Sequence, residues 1–153
     1  MHAVARRRLD DTTLVFASLH HLLTCLACDD AGGAARIALA LERLEETGRG
    51  DQAEVAATVG APLARALCSR DAAAIARLDM ASLARNLPRI GGSNAQRDVF
   101  LRTLALIAAR GADGAALGLV LGARHGQRAP DWIARTTTSI QAARAVAPRM
   151  HVA

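Results

Sequence analysis

Lysine and tyrosine are missing from this sequence altogether, and Phe16, Phe100 and Trp132 are its only aromatic residues. Few aromatic or β-branched runs remain from which strands could be built, and few rings on which nucleobases could stack. Cysteine is scarce too. Cys25, Cys28 and Cys68 make an odd number, which argues against a disulfide framework and for reduced thiols in the cytoplasm. Met1 to Arg8 is basic, but no apolar segment with a small-residue cleavage site follows, so no secretory leader is expected. Apolar stretches fall well short of the roughly 18 to 20 residues that a membrane span needs, and charge interrupts them. Catalytic patterns are absent as well: no Ser-His-Asp ordering, nucleophile elbow, carboxylate metal cluster or Gly-Lys-Ser/Thr phosphate loop occurs.

What the chain does have is alanine, leucine, valine and isoleucine, which supply most of a 52% hydrophobic share over 153 residues. That is enough for one domain with a real core, without metals or disulfides to hold it. Alanine is the best helix former and small residues let helices approach closely, so an all-α fold is expected. The net charge of +5 comes entirely from arginine. Arginine in place of lysine, beside the alanine excess, reads first as the coding bias of a bacterial gene. Its placement is more informative. Eleven arginines balance eleven acids through Arg89, whereas eight arginines face three aspartates from Ile90 onward. This basic C-terminal half, with Arg124, Arg128 and Arg135, is a candidate surface for nucleic acid or an acidic partner. Solvated helix faces explain the charge better, and no nucleic-acid module is recognisable.

Periodicity and breakers divide the chain into a basic N-terminal tail, residues 1–11, and a single helical domain, residues 12–150. A first helix, 12–28, is capped by Asp10, Asp11 or Thr12 and carries Leu14, Val15, Leu19, Leu22, Leu23 and Leu26. After a break at 29–33, a second helix at 34–47 places Ile37, Leu39, Leu41 and Leu44 inside. A third helix, 52–68, carries Val55, Val59, Leu63 and Leu67, and Gly60 with Pro62 threatens to kink or divide it. A fourth, opened by Ser69 or Asp71, carries Ile75, Leu78, Met80 and Leu83 and stops near Asn86, ahead of Pro88. The fifth runs from Ser93 to near Gly111, and the sixth from Asp113 to near Gly126. A terminal helix opened by Pro130 and Asp131 contains Trp132, Ile133, Ile140 and Val146 and ends at Pro148.

The segment Ile90-Gly91-Gly92-Ser93-Asn94-Ala95-Gln96-Arg97-Asp98-Val99-Phe100 stands out from this pattern. Two glycines break the helix, Ser93 is a favoured N-cap, and Gln96 lies at capping-box spacing. The string Ile-Gly-Gly-Ser-x-Ala-Gln-Arg-Asp-x-Phe resembles the late signature of the tetratricopeptide repeat protein 38 family. Phe16 and His20 match that family's upstream Asp-x-His-Ala helix, with Ser18 in place of its Asp and His21 in place of its Ala. The similarity spans about Thr12 to Trp132, and the family's members extend much further at the N-terminal side. The chain thus resembles their C-terminal part. The resemblance implies a helical repeat scaffold without established reaction chemistry.

Three groups of residues are candidates for chemistry. His21, Cys25 and Cys28 share one side of a helix at i, i+4 and i+7, but three ligands from one element fall short of a structural zinc site. No metal or cofactor is expected. His20 lacks an anionic companion for proton transfer, since Ser18 replaces the family's Asp. Gln96, Arg97 and Asp98 sit inside a helix start, where an anion could be received, although a capping network between hairpins accounts for them as well. Arg49-Gly50-Asp51 reads as a turn followed by a cap, not as an adhesion motif.

The expectation is a tetratricopeptide-like α-α superhelix of about three helical hairpins plus a C-terminal capping helix. Its expected role is a noncatalytic scaffold for a protein or peptide partner. Self-association is expected through an apolar N-terminal end that includes Leu19 and Leu22. The competing expectation is an enzyme or small-ligand domain in which His20 joins Gln96, Arg97 and Asp98. Nucleic acid is a weaker third.

Overall fold

Capping side chains set where five helices of this chain begin, as its computed structural model shows for residues 1–111, 113–125 and 132–146. Asp30 accepts from the Gly33 amide and opens a helix at Ala31, so Gly32 and Gly33 lie inside that helix and not in the expected break. Asp71 accepts from Ala73 and Asp79 from Ser82. This second cap divides the expected fourth helix into two short ones. Ser93 and Gln96 form the expected capping box: Ser93 N donates to Gln96 Oε1 at 2.8 Å, and Gln96 N to Ser93 Oγ at 3.3 Å. Asp113 accepts from the Ala116 amide.

The resulting order is α1 (His2–Arg6), α2 (Val15–Ala27), α3 (Ala31–Thr47) and α4 (Asp51–Val55), followed by a π turn (Ala56–Gly60) and α5 (Ala61–Ser69). Next come α6 (Ala72–Ala76), α7 (Met80–Asn86), a 3-10 turn (Leu87–Ile90), α8 (Asn94–Arg110), α9 (Gly114–His125) and α10 (Trp132–Val146). The described residues contain helices and no strand. None of these helices is long and apolar enough to cross a membrane.

α2 lies on α3, α3 on α5, α8 on α9, and α10 against α8. α5 and α2 also touch, and α5 reaches α8, so α2, α5 and α8 surround a common space. One apolar cluster runs from Ala5 to Val120. Phe100, Leu19, Leu22, Leu41, Leu63 and Leu67 are among its largest members, each contributing about 2 kcal/mol by removal from water. Ala105, Ala108, Ala109 and Ala116 are fully buried at the α8–α9 contact, where small side chains allow the backbones to approach.

Several expectations are corrected. α2 starts at Val15, three residues later than expected, because the amide of Val15 is capped by Gln52 Oε1 at 2.9 Å, a partner 37 residues away. Leu14 and Leu39 are half exposed, as is Trp132. Leu19 and Leu22 have no exposed surface, so they build no sticky end: α1 and α3 cover them. Residues 1–11, read as a tail, include α1, whose Ala5 is fully buried against α2. Pro62 does not break the third helix. Its ring would crowd the carbonyl four residues back, and the wider π turn immediately before it relieves that clash. Pro130, Asp131 and Pro148 lie outside the described residues, as does the side chain of Val146.

Candidate functional site

The two segments that suggested a family come together. Gly92 has φ +71° in the turn before α8, and a Cβ there would collide with the ring of Phe16 on α2. Glycine is therefore required twice over, by backbone conformation and by space. Phe16 in turn meets His20 edge-on, with ring centroids 4.4 Å apart, and His20 meets Phe100 of α8 at 4.9 Å. His20 is thus held between two phenyl rings. Its Nε2 is buried without a hydrogen-bond partner among the described residues, as is His21 Nδ1. Burial, and then the neighbouring His21, lowers the pKa of His20, which favours the neutral imidazole.

Gln96, Arg97 and Asp98 point elsewhere. Gln96 is spent on the cap. Arg97 turns back to donate to the carbonyls of Gly91 and Gly92 and to Asn94 Oδ1, which rigidifies the glycine turn from outside. Asp98 faces inward, accepting from Arg124 of α9 and from Arg102 one turn along α8, at 2.7 Å for Arg102 Nε. Burial alone would raise the pKa of Asp98, but the bonds from Arg124 and Arg102 outweigh it and hold the carboxyl below its usual value. His20, Gln96, Arg97 and Asp98 therefore contact different partners and do not converge on one pocket. Among the arginines proposed for nucleic acid, Arg124 is buried in this pair, Arg135 is exposed, and Arg128 lies outside the described residues.

What α2, α5 and α8 do enclose is an open groove of about 640 Å³. Leu23 and Leu26 line it from α2, Leu67 from α5, and Val99 and Ile107 from α8. Arg110 and Arg70 stand at its rim. Arg70 adopts a left-handed conformation at the end of α5 (φ 50°), and its guanidinium donates to the Leu26 carbonyl at 3.0 Å. Asp29 lies beside them, with Arg70 Nη2 3.8 Å from Asp29 Oδ1, so the polar edge carries two arginines and one aspartate next to an apolar floor. A second groove of similar volume is lined by residues of the π turn, α5, α6 and α7, among them Thr58, Arg65, Arg77 and Ser82.

One further cluster lies on the opposite flank of α2. His2 Nε2 of α1 is 2.9 Å from Asp30 Oδ2, and the fully buried Cys25 of α2 completes a group whose ligand atoms all fall within 4.8 Å of one another. The Gly33 amide, and then the His2 side chain, lowers the Asp30 pKa, while burial, followed by Asp30, raises that of Cys25. The helical trio His21, Cys25 and Cys28 is not the group that the fold gathers. Cys28 is exposed, whereas His2 and Asp30 join Cys25 from other elements.

Neither the groove nor this cluster was visible from spacing, because each draws residues from three helices. A usable hint was the second apolar stripe of α2, Leu23 and Leu26, beside the buried one. No family model matches the chain, and no solved structure matches it significantly.

Proposed function

We propose that this chain is a noncatalytic helical interaction module of the tetratricopeptide-like class, and that its docking site is the groove between α2, α5 and α8. Neighbouring helices packed in pairs, α2 on α3 and α8 on α9, support the repeat-like reading. The observation that carries the docking site is an apolar floor of Leu23, Leu26, Leu67, Val99 and Ile107 beside an edge where Arg70 and Arg110 outnumber the single acid, Asp29. Its occupant is a short amphipathic protein segment with two or three aliphatic anchors at helical spacing and an acidic residue at one end. The anchors would fill the floor, and the acid would meet the arginine pair.

Selection of displayed random peptides on the intact chain tests this. The expected result is enrichment of aliphatic anchors next to an Asp or Glu. Affinity should fall about tenfold or more in the double charge reversal Arg70→Glu, Arg110→Glu, both exposed positions. Peptides that bind equally well to the charge-reversed chain, or whose acidic residue can be replaced by Gln without loss, would refute the docking site.

The alternative of an enzyme built on His20, Gln96, Arg97 and Asp98 has no comparable support, since these four side chains are each engaged with different partners.

A further inference from the structure

We propose that His2, Cys25 and Asp30 form a binding site for a zinc-type divalent cation, with the fourth coordination position open to solvent. The three donors are an imidazole nitrogen, a thiol sulfur and a carboxylate oxygen, the mixed set that borderline cations such as zinc prefer over magnesium or calcium.

The spacing fits. Zinc bonds of about 2.0 to 2.3 Å at tetrahedral angles set donor atoms about 3.3 to 3.7 Å apart. The observed atoms bracket that range, from 2.9 Å for His2 to Asp30 up to a 4.8 Å limit for the group. Small side-chain rotations therefore suffice to seat the ion.

The fold also holds two of the donors in place before any ion arrives. The Asp30 amide donates to the Cys25 carbonyl at 2.9 Å, which locks the turn between α2 and α3. Asp30 Oδ1 is fixed by the Gly33 amide, leaving Oδ2 toward His2. Gly33 matters in a second way: a Cβ there would come within 2.7 Å of Asp30 Oδ2 and 3.0 Å of Cys25 Sγ, so glycine keeps the space between the two donors clear. That cradle is independent of the donor spacing.

Charge and access agree with this reading. Cys25 loses its proton to solvent as the ion binds, and with Asp30 it supplies two negative charges. Arg6, 3.8 Å from Asp30 Oδ2, is mostly exposed and can swing away. The side chains of His2 and Asp30 keep 35% and 15% of their surface exposed, which gives the ion a path in and leaves room for a bound water. The ion would tie α1, α2 and the start of α3 together.

The decisive experiment is cobalt titration of the full chain, freed of metal and carrying no histidine tag. A near-ultraviolet sulfur-to-cobalt band with tetrahedral visible bands is expected, and zinc should displace both. His2→Ala and Asp30→Asn should each weaken cobalt binding roughly tenfold or more, and Cys25→Ser should abolish the sulfur band. His21→Ala and Cys28→Ser should leave the spectrum unchanged. Circular dichroism of every variant guards against loss of fold, and His2→Ala, a partly exposed position, decides the matter should Cys25→Ser fail to fold. Absence of a sulfur band in the unaltered chain would overturn the proposal. So would a band that survives His2→Ala but disappears in His21→Ala or Cys28→Ser.

Discussion

Asp98 of α8 grips Arg124 of α9 through two bonds, Nε to Oδ1 at 2.8 Å and Nη2 to Oδ2 at 3.0 Å, with both side chains almost wholly buried. This fork fixes the angle and register of the last hairpin. Its removal from one side should be severe. Asp98→Ala leaves a guanidinium buried without its carboxylate and is expected to destabilise the chain by about 3 kcal/mol or more. The double variant Asp98→Leu, Arg124→Met should recover much of that loss. Urea unfolding of the three chains provides the check, and equal stability of the single and double variants would contradict it.

The same pair should give an acid limb to the stability profile. The folded pKa of Asp98 lies below the ordinary 3.8, because bonds from Arg124 and Arg102 overcome the opposing effect of burial. Its contribution is thus fully present above the unfolded value and lost as pH falls through the folded one. The Asp98 contribution should stay constant between about pH 5 and 7 and be lost below about pH 4, while His20, whose pKa burial lowers, adds a separate loss of stability as pH falls below the ordinary imidazole value. The loss below about pH 4 should be shallower in Asp98→Asn.

Gly91 and Gly92 separate two effects of adding a methyl group. Both have positive φ, +88° and +71°, but a Cβ at Gly91 meets open space whereas one at Gly92 strikes Phe16. Gly91, at φ 88° and ψ −164°, lies in a region that side-chain-bearing residues hardly enter, so Gly91→Ala should destabilise by about 1 to 3 kcal/mol from backbone strain alone. Gly92→Ala should lose distinctly more, by about 1 to 3 kcal/mol of overpacking, and Phe16→Leu should reduce the difference. Thermal melts of the four chains measure it.

Thiol reactivity should be unequal. Cys28 is exposed, Cys25 has no exposed surface, and burial pushes the Cys68 thiol up to about 11. At roughly pH 8, alkylation of the native chain is expected to add one label quickly, at Cys28, and the others only on unfolding. Peptide mapping by mass spectrometry identifies the site. Fast labelling at Cys68 would contradict the packing of α5.

Local signals were the legible part of this chain. The capping box at Ser93 and Gln96 and the caps at Asp71 and Asp113 depend on neighbours within three residues, so sequence alone exposes them. The all-helical class follows from alanine and the scarcity of strand formers. What escaped depends on contacts across the chain: Gln52 capping Val15, α2 covering Ala5 of α1, and Arg124 turning inward to Asp98. Arg124 looked like surface charge because a buried arginine and a solvated one have the same local pattern; only the carboxylate 26 residues upstream tells them apart.

The π turn at Ala56–Gly60 carries a lesson about phase. Val55, Val59, Leu63 and Leu67 recur every four residues, and all four are buried, with 3% exposure at most. In an unbroken α-helix each step of four overshoots a full revolution by about 40°, so the stripe would wander about 120° over its length. A turn closed by i to i+5 bonds winds less per residue and brings the stripe back toward α3. Deleting one residue there would not simply shorten the helix. It would let the turn close with ordinary i to i+4 bonds and keep Leu63 and Leu67 on about the same face, whereas a deletion elsewhere in the helix would swing them about 100° from the partner of Val55 and Val59, so the π turn is where this helix holds its spare residue.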